Sequence, residues 1–127
     1  MPSNVRRRSL SSVVIKSADP GRINKAVMGY INKIRVEHPE IVKIIWFGSW
    51  INGLPTPGSD VDLCLILSSS DKPIRERITK YLPVCFPVGI ELFPYTIDEF
   101  RELSQGSPSW YNAIISGREL YRKSFLY

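Results

Sequence analysis

The residues whose types and spacing could do chemistry lie in the stretch Gly48-Ser49-Trp50-Ile51-Asn52-Gly53-Leu54-Pro55-Thr56-Pro57-Gly58-Ser59-Asp60-Val61-Asp62. Asp60 and Asp62 are two apart at the start of an apolar run. Side chains alternate along a strand, so both carboxylates point the same way. Such a pair suits magnesium, which takes oxygen ligands and leaves room for water and substrate phosphates. Gly48-Ser49 follows another apolar, β-branched run. A helix opening there offers unpaired backbone N–H groups and a hydroxyl to a phosphate, and glycine lets the phosphate approach the main chain. Alone, the pair serves equally as a turn and a helix cap. Ten residues ahead of Asp60, it reads as the phosphate half of a site, and Gly48, Ser49 and Ser59 are the nucleotide-binding candidates. Glu91, a lone acid between Ile90 and Leu92, is the candidate third carboxylate. Its alternative is an exposed glutamate protecting a sheet edge.

The elements that must position these groups follow from periodicity. Asp19-Pro20 starts a helix in which Ile23, Val27, Tyr30, Ile31 and Ile34 recur at helical spacing until His38 and Pro39. Ile41 to Phe47 reads as a buried strand, Gly53 to Ser59 as loop, and Val61 to Leu67 as a second strand with Asp62, Cys64 and Ile66 on one face. A helix begins around Asp71 and Pro73, carries Ile74, Ile78 and Leu82, and stops at Pro83. Val88 to Tyr95 is a short third strand whose prolines place it near a sheet margin. Thr96 to Glu99 is a capping box opening a helix through Phe100 and Leu103 that Gly106 closes, and Ser107-Pro108 opens a last helix ending near Gly117. The order is helix, strand, strand, helix, strand, helix, helix, which predicts a single α/β domain.

At 127 residues, 43% hydrophobic and 23% charged, the chain has the balance of one packed globular domain and excludes global disorder. A net charge of +5 favours anionic partners. Residues 1–18 read as a basic N-terminal segment free to be flexible, with Arg6, Arg7 and Arg8 a solvated tail. Residues 19–127 read as the folded domain. No apolar run reaches the length of a membrane span and no signal-peptide core follows the arginines, so a cytoplasmic protein with no membrane partner is expected. Cys64 and Cys85 lack metal or redox spacing and read as buried free thiols. His38, the one histidine, fits a helix C-terminus and is no catalytic candidate.

Gly48 and Ser49, ten residues and then Asp60-Val61-Asp62 resemble the hallmark of the minimal nucleotidyltransferases of the DNA polymerase β-like superfamily, and the likeness extends over roughly residues 20 to 123. The resemblance implies a nucleotidyltransferase fold of the α/β (α+β) class, a small mixed β-sheet with helices packed mainly on one face. It implies transfer of a nucleoside monophosphate, with ATP or another NTP as donor. Two Mg2+ ions would be held by Asp60, Asp62 and Glu91, which are then the catalytic and metal-binding residues. The chain departs from the pattern at Trp50 and Asn52, where relatives often carry arginine, and at Glu91, where many carry aspartate. The family further implies a HEPN-domain partner protein in an oligomer or hetero-complex. There the chain would act as antitoxin, in some cases by adenylylating a tyrosine of the toxin. The Trp110, Tyr111, Tyr121, Phe125 and Tyr127 aromatics read as core, with a contact surface as the alternative. A binding module that neutralises its partner by contact alone is the competing reading. Nucleic acid is not an expected partner, because no aromatic and basic stripe for single strands is present.

Overall fold

A computed structural model of the chain describes residues 19–53, 55 and 59–124. The expectations for residues 1–18, Phe125 and Tyr127 lie outside the described residues. Helix α1 spans Pro20–Glu37, with the Asp19 carboxylate accepting from the Gly21 N–H at 3.0 Å and proline in its first turn. Strand β1 is Ile41–Phe47, the one-turn helix α2 is Ser49–Asn52, and β2 is Val61–Leu67. Helix α3 covers Ile74–Tyr81, β3 Ile90–Thr96, α4 Ile97–Gly106, α5 Pro108–Ile115 and β4 Arg118–Arg122. The capping box at Thr96 and Glu99 is formed in both directions.

The four strands make one mixed sheet in the order β3-β2-β1-β4. β1 runs antiparallel to β2 and β4, and β2 runs parallel to β3. A parallel pair needs a crossover, and α3 supplies it. The sheet carries two cores. Ile44, Trp46, Leu63, Leu65 and Leu92 pack beneath Ile23, Val27, Tyr30 and Ile31 of α1, with Tyr81 at the end of α3. On the opposite face Val42, Ile45, Phe47, Cys64 and Ile66 pack with Ile114 and against Ile97, Phe100, Leu103 and Trp110 of α4 and α5. The mixed α/β sheet is as expected, but helices cover both faces instead of mainly one. The reason is that β1 and β2 are apolar on alternate and intervening positions alike, so neither face tolerates water.

Three local expectations are corrected. The buried positions of α3 are Arg77 and Tyr81, while Ile74 and Leu82 are exposed. Arg77 reaches across β3, donating to Glu99 Oε1 at 2.6 Å, Glu99 Oε2 at 3.0 Å and the Pro94 carbonyl at 3.0 Å. A guanidinium with that many acceptors is stable in a buried position, so the inward face of α3 is not the apolar one. Cys85 is exposed and only Cys64 is buried. Arg118–Arg122, left without an element by the sequence, forms the edge strand β4, which its charged residues suit.

Candidate active site

The site assembles where β1 ends and β2 and β3 begin. β1 enters the turn at Gly48, whose φ of 92° lies in the region that only glycine occupies easily. A second constraint acts there, because a Cβ on Gly48 would overlap the Asp62 carboxylate. Asp62 is thus seated against bare main chain at the entrance to α2. Asp60, one residue before β2, is exposed and lies against Gly89 in the same manner. Glu91 is exposed on β3 and stands opposite Asp62 in the parallel register. Asp62 is half-buried, as the inward face of its strand requires.

Like charges make this a costly arrangement in the absence of a cation. The Asp62 carboxyl is pushed up to about 6, first by burial, then by the charge of Glu91 and then by that of Asp60. Among the described residues, none of the three carboxylates has an ion pair with Lys, Arg or His. Among the described residues no group of three or more His, Cys, Asp or Glu side chains is placed to hold a metal ion, so the facing pair Asp62 and Glu91 is the donor set the structure offers. An incomplete set of hard oxygen donors, in excess negative charge, fits a magnesium ion that completes its shell with water and phosphate oxygens. The residues present therefore fit the group that the sequence anticipates.

Gly48, Asp62 and Glu91 share a cleft of about 480 Å³ with Phe47, Asn52, Phe93, Trp110, Ala113 and Ser116. The sequence brings three of its candidates to that cleft. Asp60, Ser49 and Ser59 stand outside its described wall. Ser49 is exposed at the first position of α2, where the leading N–H groups of a helix have no partner within it. Ser59 precedes Asp60, and its carbonyl accepts from Trp50 Nε1 at 2.9 Å. Asn52 donates to Ser116 Oγ at 3.3 Å, linking α2 to the end of α5.

Sequence reasoning missed the cleft's aromatic wall. Phe47, Phe93 and Trp110 meet with ring centroids 5.1–5.5 Å apart, and Trp110 Nε1 donates to the Tyr95 hydroxyl at 3.0 Å. Phe93 was available from alternation, since it lies two residues beyond Glu91 on the same face. Trp110 and Gly89 had no local signal, because their neighbours come from other segments.

The fold is shared with known proteins. The crystal structure of a Sulfolobus solfataricus protein that carries the provisional description nucleotidyltransferase superposes with a TM-score of 0.54 at 14% identity, covering 74% of this chain and 83% of that one. At that identity the likeness concerns the fold. No curated protein matches the sequence. A family model described as nucleotidyltransferase domain matches residues 28–104, a span that holds Gly48, Ser49, Asp60, Asp62 and Glu91. With more than half of its length matched, and with transfer of a nucleoside monophosphate as that family's reaction, the chain belongs to the nucleotidyltransferase domain family.

Proposed function

We propose that the reaction runs at the mouth of this cleft, with Asp60, Asp62 and Glu91 holding Mg2+ and with Gly48, Ser49 and Ser59 beside the phosphates of an NTP, ATP being the first donor to test. The observation that carries this reading is the pairing of half-buried Asp62 with Glu91 and Asp60, without a cationic partner among the described residues, directly against Gly48. In the transfer the acceptor hydroxyl oxygen would bond to the α-phosphorus as the bond to the departing pyrophosphate breaks, and bound magnesium would make that hydroxyl more acidic and offset the pyrophosphate charge. Asp62 contributes a carboxylate whose direction is fixed by its seat on Gly48. Glu91 contributes a second from the neighbouring strand, on the side where an acceptor can enter. The bare Gly48 main chain leaves room for the Asp62 carboxylate itself, at the entrance to α2 where phosphate oxygens would sit. Rate enhancement then comes from positioning and charge neutralisation, without a protein nucleophile.

The acceptor in this proposal is a hydroxyl of a partner protein of the HEPN type, with the chain as its antitoxin. Support for that part is the resemblance of the Gly-Ser and Asp-X-Asp pattern to minimal nucleotidyltransferases. The experiment is incubation with α-labelled ATP, magnesium and a HEPN-domain partner. Label on the partner is expected, and Asp60→Asn with Asp62→Asn should abolish it.

One observation favours a second reading, contact neutralisation with little turnover. Trp50 and Asn52, at positions where relatives often carry arginine, are committed to Ser59 and Ser116. Neither supplies a positive charge to a triphosphate. Calorimetric titration with Mg-ATP separates the readings, because contact neutralisation requires no nucleotide binding.

A further inference from the structure

Asp60 poses a physical problem. It lies outside the ladder of β2, is exposed, and has no hydrogen bond or ion pair to hold its side chain among the described residues. A free aspartate on a loop would sample several rotamers and lose entropy on meeting a cation. Three contacts restrict it. Upstream, the indole N–H of Trp50 donates to the Ser59 carbonyl at 2.9 Å, across a separation of nine residues. The indole itself packs against the core beneath α1, so this donor is anchored. Downstream, the Val61 N–H donates to the Gly89 carbonyl at 2.9 Å, tying the peptide after Asp60 to the residue before β3. The third contact is steric, since the Asp60 carboxylate occupies the volume that a Cβ on residue 89 would fill.

We propose that Trp50 and Gly89 are positioning residues for the Asp60 carboxylate, Trp50 by holding the carbonyl one residue upstream and Gly89 by leaving the socket the carboxylate fills. The inference rests on the reading that Asp60 binds a divalent cation. Gly89 differs from Gly48 in a way that makes it testable. Its φ lies outside the left-handed region, so its backbone accepts alanine and only the contact with Asp60 opposes a methyl group. Because Asp60 is exposed, its side chain can swing away when that methyl is added. The fold survives and the carboxylate is misplaced.

The test uses Gly89→Ala and Trp50→Phe, the latter keeping an aromatic ring and losing the donor, with Asp60→Ala as reference. Manganese(II) alone is the binding probe. Gly89→Ala should unfold within about 2 °C of the wild type and Trp50→Phe, which loses a hydrogen bond and some core contact, about 5 °C lower, yet both should bind manganese about tenfold more weakly, the loss expected for a residue that orients a ligand. Gly89→Ala should weaken binding no further in the Asp60→Ala background, which separates positioning from general damage. Wild-type affinity in Gly89→Ala, or full additivity with Asp60→Ala, would overturn the proposal. If Asp60→Ala itself binds manganese as the wild type does, the cation reading of Asp60 fails instead. A crystal structure of Gly89→Ala then still decides the positioning claim: a displaced Asp60 carboxylate supports it and an unmoved one contradicts it.

Discussion

Asp62 and Glu91 are direct neighbours across the parallel β2–β3 pair, one half-buried and the other exposed, so the candidate third carboxylate is set by strand register and not by a loop. A shift of β3 by one residue would turn Glu91 to the opposite face and bury it under α1 and α3. Leu92 and Phe93, which fill the two cores on either side of β3, prevent that slip.

The carboxylate cluster costs stability when no cation is present. Asp62→Asn removes the charge whose carboxyl is pushed up to about 6. In chelator-treated protein at pH 7.5 this substitution should raise stability by on the order of 1 kcal/mol, because it relieves the burial of a charge and its repulsion by Glu91 and Asp60, both partly screened by solvent. Urea denaturation measures it. A lower midpoint than the wild type would mean that Asp62 makes favourable contacts that outweigh the repulsion.

Gly48→Ala should destabilise by about 1–3 kcal/mol, because its backbone lies in a region tolerated by little besides glycine. The same methyl displaces Asp62, so cation binding should fall together with the midpoint. This sets Gly48 apart from Gly89, where binding should fall alone. Thermal unfolding and manganese titration of the two variants make the comparison.

The Arg77–Glu99 pair locks α3 to the start of α4, and Glu99 also accepts from the Thr96 N–H at 2.9 Å. Hydrogen bonding from Arg77 holds the Glu99 carboxyl below its ordinary 4.5, partly opposed by burial. A depressed acid contributes stability that is complete above its unfolded value and is lost as the pH falls through the folded one. Glu99→Gln should therefore cost about 2 kcal/mol at pH 7, where it leaves buried Arg77 with a neutral partner. The difference from the wild type should shrink as the pH drops below the ordinary glutamate range. Urea midpoints across pH 3 to 7 provide the check.

The two thiols should differ sharply. Burial pushes Cys64 up to about 12, whereas Cys85 is exposed. A disulfide reagent at pH 8 should titrate one thiol in the native protein and two in denaturant. Two fast thiols in the native state would contradict the placement of Cys64 in the core.

Much of this arrangement was legible in the sequence, for identifiable reasons. Gly48, Ser49, Asp60 and Asp62 lie within one short segment, and the face shared by Asp62, Cys64 and Ile66 follows from strand alternation. The Thr96 capping box and the Pro108 helix start are local signals, and both helices begin there. What escaped depends on contacts between distant segments. The Arg77 side chain is buried because of Glu99 and the Pro94 carbonyl, on other elements. β4 is a charged pentapeptide that becomes a strand because β1 presents a free edge. Gly89 gains meaning only once β3 lies parallel to β2. Cys85 sits in an apolar run that the chain leaves at the surface, beside fully exposed Val84.

In the proposed reaction Asp60, Asp62 and Glu91 use a divalent cation to hold an NTP. Calorimetric titration of the protein with each of the four NTPs, with magnesium and with chelator, tests it most directly. Binding of at least one NTP should require magnesium and disappear in Asp60→Asn with Asp62→Asn, while circular dichroism shows the fold retained. Nucleotide binding that persists in chelator, or that survives loss of both aspartates, would contradict it.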